Sequence, residues 1–124
     1  MRRLQNFVGG GWSDAQDGPV APLIDPSSGE PFAEAPVSGP ADVDRALRVA
    51  ADAFASWRRT TPSERSLALF RIADALEARA EDLVRAECEN TGKPFQLTMD
   101  EEIPPMVDQI RFFAGAALVM ARTA

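Results

Sequence analysis

The 124-residue sequence contains no histidine and no tyrosine, and Cys88 is its single cysteine. Without histidine, neither a Cys–His pair nor a Ser–His–Asp triad can form, and a zinc site has no His or multi-Cys ligand set. Acid–base chemistry would therefore fall to carboxylates or lysine. One cysteine cannot close an internal disulfide, which indicates a reducing compartment, and we expect the cytoplasm.

Long apolar runs are also missing. No stretch approaches the roughly 18 apolar residues that indicate a membrane span, so no membrane partner is expected. Arg2 and Arg3 are not followed by an apolar segment, which argues against a signal peptide. The formal net charge is -6 and the sequence pI is about 4.6, which argues against a nucleic-acid partner. With 45% hydrophobic and 26% charged residues, the composition is that of a globular domain.

Proline divides the chain. Six of the ten prolines lie in residues 1–40, so no long helix can form there. The Gly9-Gly10-Gly11 tract, with apolar residues on both sides, predicts a hairpin turn. A phosphate loop is the alternative, but the Lys and Ser/Thr of a Walker motif are missing. A second extended pair turns at residues 25–29, so we predict a β-hairpin leader over residues 1–39.

The remaining residues, 40–124, predict about four α-helices. The first begins with Gly39 and Pro40, and the second with a capping box in which Thr61 is the N-cap and Glu64 is at N3. The first helix carries an apolar stripe at helical spacing: Val43, Ala46, Leu47, Ala50, Phe54 and Trp57. The second is expected to bury Leu69, Phe70, Ala73 and Leu76.

The third predicted helix begins near Glu81 and ends at Gly92, a left-handed C′ residue followed by the helix-stopping Pro94. Leu83, Val84, Ala86 and Cys88 line it. The fourth runs from about Asp100 to Ala121. Pro104 and Pro105 are tolerated only in its first turn, which places the helix start near Glu101 to Ile103. Its stripe is Ile103, Met106, Val107, Ile110, Phe113, Ala114 and Ala117.

Cys88 is the first candidate for chemistry. A reactive thiolate needs a nearby cation, a helix N-terminus or a base. Glu87 and Glu89 flank Cys88 near a helix C-terminus, and all three features disfavour a thiolate. A small, half-buried helix residue is therefore the preferred interpretation.

Other polar and aromatic features have two interpretations each. The acidic run at residues 99–102 could supply oxygen ligands to a cation, but is more often a favourable charge cluster at a helix start. Lys93 could anchor a phosphate or carboxylate, although a lysine at this place more often contacts the last helix carbonyls. The pairs Phe54 with Trp57 and Phe112 with Phe113 are expected in the core rather than in a stacking platform.

Four segments, taken in order, resemble the N-terminal quarter of the aldehyde dehydrogenase superfamily. They are "NFVGGGWSDA", "LIDPSSGEPFAEAPVSGPADVDRALRVAADAFASW", "TPSERSLALFRIADALEARAEDLVRAECENTGKPF" and "VDQIRFFAGAA". Within them lie five family motifs, each weak alone but specific in register over residues 5 to about 117: "DPSSGE", "AADAFASW", "SER", "ECENTGKP" and "RFFAG". The stretch "DEEIPPMVDQIRFFAGAA" is most similar to the branch that oxidises aminoaldehydes such as 4-aminobutyraldehyde or betaine aldehyde.

The resemblance implies an α/β family fold, of which this part would be α+β: β-hairpins, then helices that pack on the NAD-binding domain as part of a single incomplete domain. It also implies NAD(P)-dependent oxidation of an aldehyde to an acid, with a cysteine nucleophile, a glutamate base and an oxyanion-binding asparagine. Some members hold a monovalent cation near the carbonyls matching Leu23 and Ile24, with Glu102 the nearest carboxylate match.

The family's catalytic and cofactor motifs do not occur in these 124 residues. We therefore expect no catalytic, cofactor-binding or metal residue here, no NAD or NADP binding by this chain alone, and a catalytically incomplete fragment. Its expected partner is the remainder of the dehydrogenase or a homologous subunit, with a homo-oligomer also possible in principle. The alternative is a non-catalytic binding module that docks on a full-length paralogue or a complementary partner chain.

Overall fold

A computed structural model describes residues 1–120 of the chain. These residues form two compact units, which divide after Arg59. The first contains five short strands and one helix, and the second contains four helices. The expected α+β arrangement of strands followed by helices is confirmed.

The strands of the first unit form two small sheets. Their bounds are β1 Arg2–Arg3, β2 Asn6–Val8, β3 Gly11–Ser13, β4 Val20–Ile24 and β5 Pro31–Pro36. Strands β2 and β3 pair antiparallel, with Phe7 opposite Trp12. The other sheet has the order β1-β5-β4, in which β4 and β5 are antiparallel and β1 lies parallel to β5. Strand β1 has only two residues, so no alternation of apolar and polar side chains marks it in the sequence.

Both predicted turns of the leader are confirmed. Gly9 and Gly10 have φ values of 64° and 81°, the left-handed conformations that a two-residue type I′ hairpin requires. In the second turn, the Ser27 amide donates to Asp25 Oδ1 at 2.7 Å and the Gly29 amide donates to the Asp25 carbonyl at 2.8 Å. The Ser27 amide hydrogen bond lowers the pKa of Asp25 below its ordinary value of 3.8.

Helix α1 covers Pro40–Trp57 and begins where Gly39 and Pro40 predict. Asp42, which is buried, fastens this start to the preceding loop. One of its carboxylate oxygens accepts from the Gly39 amide at 3.1 Å, and the other accepts from the Gln16 amide at 3.0 Å. The carboxylate therefore satisfies two backbone donors that the turn would otherwise leave unpaired.

The helices of the second unit are α2 Pro62–Ala78, α3 Ala80–Thr91, α4 Phe95–Glu101 and α5 Ile103–Val119. The capping box of α2 is confirmed: the Glu64 amide donates to Thr61 Oγ1 at 3.2 Å and the Thr61 amide donates to Glu64 Oε2 at 2.6 Å. The Gly92 C-cap is confirmed too, with φ 73° in the left-handed region.

The helix with Pro104 and Pro105 in its first turn begins at Ile103, within the range from Glu101 to Ile103 that the two prolines predict, so only the outer bound of about Asp100 is too early. Asp100 belongs to the short helix α4, which the sequence analysis did not predict, and the next helix begins at Ile103. Gly92 ends α3, and Pro94, which prevents α3 from continuing, is in an extended conformation as the N-cap of α4. The predicted endpoint at Ala121 lies outside the described residues.

The buried apolar positions are mostly small: Ala33, Ala73, Ala80, Val84, Val107 and Ala114. Several residues predicted on buried faces are exposed instead. Phe70 and Phe113 are 39% and 61% exposed. The stripe on α1, which the sequence predicts only as a shared apolar face, is also exposed, with Val43 at 52% and Leu47 at 64%. Helical spacing predicts which residues share a face, but a face is buried only where another element covers it.

Helices α2 and α5 pack closely against each other. Arg111 on α5 joins them, since its guanidinium lies 2.9 Å from Asp74 Oδ1 and 2.6 Å from Glu77 Oε2, both on α2. The hydrogen bonds from Glu77 and Asp74 raise the pKa of Arg111 further above its ordinary value. Arg111 thus links the two helices, and Val107 of α5 is fully buried in the second unit.

Candidate functional site

The end of α3 carries a cluster of three charged side chains, which we call the Lys93 cluster: Lys93, Glu87 and Glu102. Gly92 turns the chain so that Lys93 Nζ lies 3.2 Å from Glu87 Oε1 and 2.9 Å from Glu102 Oε1. The hydrogen bonds with Glu102 and then Glu87 raise the pKa of Lys93 above its ordinary value of 10.5. Among the described residues, the partners seen for Lys93 Nζ are thus carboxylates, whereas the sequence-based interpretation preferred the last helix carbonyls.

Cys88 lies within the last turn of α3, and its half-buried position matches the prediction. Its Sγ atom is 4.0 Å from Thr98 Oγ1, whose hydroxyl donates to the Pro94 carbonyl at 3.0 Å. A threonine hydroxyl is a weak partner and not a base that could remove the thiol proton. The geometry around Cys88 thus offers packing, and its chemical inertness stays a prediction.

An open apolar groove of about 370 Å³ lies beside this cluster. Apolar side chains from three helices line it: Leu76, Leu83, Val84, Ile103 and Met106. Glu87, Glu102 and Thr98 supply its polar part. The groove depends on how three helices pack, so no spacing along a single helix in the sequence reveals it.

The acidic run at residues 99–102 is divided between two helices. Asp100 lies near the end of α4, where both of its oxygens accept from Gln96 Nε2 at 2.9 and 3.0 Å. Glu102 alone stands at a helix start, as the N-cap residue of α5. The expected charge cluster at one helix start is therefore wrong for the residues before Glu102, because the unpredicted α4 contains them.

The aromatic pairs expected in the core are exposed. Phe112 and Phe113 pack edge to face, with ring centroids 5.4 Å apart, and are 70% and 61% exposed. Phe54 and Trp57 on α1 are 57% and 48% exposed. On the hairpin, Phe7 and Trp12 lie 4.8 Å apart by ring centroid and are also exposed. Each unit thus presents apolar side chains on its surface.

The Gly9-Gly10 turn does not have the geometry of a dinucleotide phosphate turn. A dinucleotide phosphate turn follows a strand and opens a helix, so that helix amides face the phosphates. Gly9 and Gly10 instead join two antiparallel strands. In residues 1–120, no group of three or more Cys, Asp or Glu side chains could hold a metal ion, and none of the helices there is long and apolar enough to cross a membrane.

The comparison with protein families is decisive. The model described as "Aldehyde dehydrogenase family" matches residues 12–123, which is most of the chain. The chain belongs to the aldehyde dehydrogenase family. The resemblance seen in the sequence motifs is therefore confirmed at the level of the family, and the fold class with it.

Curated relatives of this aldehyde dehydrogenase chain carry different names. Acetaldehyde dehydrogenase 2 of Cupriavidus necator is 40% identical over 114 residues, which are 92% of this chain and 22% of the relative. The 2-aminomuconic semialdehyde dehydrogenase of Mus musculus is 38% identical over 115 residues, which are 93% of this chain and 23% of the relative. The chain thus spans less than a quarter of the length of these relatives.

Solved aldehyde dehydrogenase structures have the same fold. An NAD+ complex of the enzyme from Bacillus cereus gives a TM-score of 0.91 at 27% identity, over 97% of this chain and 25% of that chain. A benzaldehyde dehydrogenase described as NAD-dependent, from Corynebacterium glutamicum, gives 0.84 at 26% identity, over 91% of this chain and 24% of that chain.

Proposed function

We propose that these residues are the N-terminal part of an NAD(P)-dependent aldehyde dehydrogenase that oxidises an aldehyde to a carboxylic acid in the cytoplasm. The observation that carries the proposal is the family match over residues 12–123. The NAD+ complex of the Bacillus cereus neighbour supports a nicotinamide cofactor for the whole enzyme.

The substrate class we propose is an aminoaldehyde. The stretch of residues 100–117 supports it, because there the sequence most resembles the aminoaldehyde branch. A relative whose printed name contains 2-aminomuconic semialdehyde is consistent with an amino-bearing aldehyde. Relatives of similar identity are named for acetaldehyde and fluoroacetaldehyde, so the substrate class needs its own test.

The part that this segment plays is structural. None of the 124 residues is proposed to act on the aldehyde: Cys88 lies between two glutamates on a helix, and the glycine turn has hairpin geometry. We propose that helices within residues 40–124 pack on the NAD-binding domain of the same enzyme or of a homologous subunit. The apolar side chains exposed on α1 and α5 are the surfaces that such packing would bury, and their burial would stabilise the enzyme.

A chimera tests the structural part. The segment of the Cupriavidus necator relative that matches this chain is replaced by the chain, and NADH formation from acetaldehyde is followed. An active chimera is expected, since the segment supplies packing surface. Leu47→Asp places a charge on the exposed apolar stripe and is expected to reduce soluble, active chimera. Ser56→Asp, on the opposite side of α1, is the matched control and should leave activity near that of the unsubstituted chimera.

The substrate class is tested on a full-length enzyme that contains this segment, because none of the 124 residues is proposed to act on the aldehyde. Its kcat/KM for 4-aminobutyraldehyde is expected to exceed its kcat/KM for acetaldehyde. A preference for acetaldehyde contradicts the proposed substrate class but not the family function. For the 124-residue chain alone, NAD and either aldehyde should give no NADH above a protein-free blank, and steady turnover would contradict the structural role.

A further inference from the structure

Lysine is used once in this chain. Of the 13 basic residues, 12 are arginine and only Lys93 is lysine. The two residue types differ in their chemistry towards carbonyl compounds. Arginine stays protonated in proteins, whereas a lysine amine that loses its proton is a nucleophile that forms Schiff bases. Lys93 is therefore the one side-chain amine that can condense with an aldehyde.

The surroundings of Lys93 oppose that reaction. Its ammonium is held between two carboxylates from different elements, Glu87 on α3 and Glu102 at the start of α5, at 3.2 and 2.9 Å. Condensation requires the neutral amine, and each charge-assisted hydrogen bond favours the charged form instead. The lone pair that would attack a carbonyl carbon is then bonded to a proton, and the resulting ammonium donates hydrogen bonds to Glu102 and Glu87.

We infer that Glu87 and Glu102 keep Lys93 from condensing with aldehydes, so that the single lysine of the chain resists modification by the substrate class of the enzyme. The biological role of this protection rests on the proposed function, whereas the effect of the two carboxylates on the reactivity of Lys93 does not. The Lys93 side chain is 40% exposed, so small aldehydes can reach it. Lys93 is therefore protected because the carboxylates stabilise its protonated form, and not because aldehydes are sterically excluded.

The reaction to be measured is reductive alkylation. The neutral ε-amine of Lys93 adds to propanal and loses water to give an imine, which takes a proton from water to become an iminium ion. Cyanoborohydride then delivers hydride to the iminium carbon to give a secondary amine. Trypsin does not cut before proline, so Lys93-Pro94 stays intact and residues 86–111 form one peptide whether or not Lys93 has reacted. Mass spectrometry of that peptide gives the modified fraction against time.

The folded chain should be alkylated at Lys93 about threefold to tenfold more slowly than the same chain in concentrated urea, as expected for two half-exposed ion pairs. Glu102→Gln should speed alkylation of the folded chain severalfold. Glu101→Gln removes the same charge one residue away, where no contact with Lys93 is seen among the described residues, and should leave the rate unchanged. Glu87→Gln gives a second reading if Glu102→Gln unfolds α5.

Equal rates for folded and unfolded chain would overturn the inference, as would equal effects of Glu101→Gln and Glu102→Gln. Added salt is a further measurement, because it screens exposed ion pairs and should raise the rate in the folded chain only. Alkylation needs no turnover, so an inactive chimera and an unprotected Lys93 are separate outcomes.

Discussion

Gly18 is the position where adding one methyl group should do most damage. A Cβ atom built there lies 2.0 Å from the Val37 carbonyl oxygen and 3.1 Å from the Val37 carbonyl carbon. Those atoms belong to the backbone and cannot rotate away as the end of a side chain could. The Val37 amide donates to the Pro19 carbonyl at 2.9 Å, which keeps the two segments close. Position 18 thus requires glycine because two backbone segments approach closely there, and not because its φ is left-handed.

The size of the effect follows from this geometry. Ordinary contact begins near 3.4 Å, so Gly18→Ala must move the segments apart by about 1.4 Å from 2.0 Å. Inserting a methyl group into a tightly packed place costs about 1–3 kcal/mol. The Val37–Pro19 hydrogen bond would be lost as well, at about 1 kcal/mol. We therefore expect Gly18→Ala to lower the free energy of unfolding of the first unit by about 2–4 kcal/mol.

Urea unfolding followed by tryptophan fluorescence measures this change. Both tryptophans, Trp12 and Trp57, lie in residues 1–59, so their fluorescence reports the first unit. With a slope near 1 kcal/mol per molar urea, the midpoint should fall by roughly 2 M or more. Gly11→Ala is the control, since the nearest atom to its added Cβ is 3.9 Å away. A midpoint for Gly18→Ala equal to that of Gly11→Ala would refute the reasoning.

Three further predictions concern the second unit. Thr61→Ala removes the N-cap of α2 and should cost about 1 kcal/mol of stability, measured by thermal unfolding in circular dichroism. Val107→Ala empties space around a side chain that is 2% exposed and should cost about 2–3 kcal/mol in urea unfolding. The hydrogen bond from the Thr61 amide lowers the pKa of Glu64 below its ordinary value of 4.5. The stability that the Glu64 carboxylate contributes is therefore fully present above pH 4.5 and should fall as the pH drops below that value.

Each of these three has its own check. Leu118→Ala is the counterpart of Val107→Ala at a 52% exposed position, and equal losses for the two would contradict the assigned burial. Glu64→Gln should remove part of the acid sensitivity, and an unchanged pH profile would show that other carboxylates cause it. For Thr61→Ala, Thr61→Ser is the control because serine also caps, and a comparable loss for both would argue against the hydroxyl's role.

Local signals in the sequence predicted much of the secondary structure. The start of α2 is specified within four residues, by Thr61, Pro62 and Glu64. The hairpin turn is specified by Gly9 and Gly10. These features depend on hydrogen bonds and backbone angles between near neighbours, so the sequence alone contains their causes. Helix α4 was missed because Pro94 is also a stop signal, and whether a new helix begins there depends on how residues 95–101 pack against α3 and α5.

Burial was predicted much less well. The apolar spacing of α1 is real, yet Leu47 and Phe54 on that face are more than half exposed. A stripe shows only that its residues share a direction, and whether another element covers them depends on the rest of the fold. The positions that are fully buried in the second unit, such as Ala73, Val107 and Ala114, are those where helix packing leaves little space.

The sequence by itself determined the family, the two turns and the helix caps of this protein, because motifs in register and short-range hydrogen bonds are properties of the chain order. Only the tertiary structure decided that Lys93 contacts Glu87 and Glu102 and that Arg111 bridges to Asp74 and Glu77. Glu102 is nine residues from Lys93, and Asp74 is 37 residues from Arg111. Such pairs form because packed helices bring distant side chains together, and no local pattern specifies that.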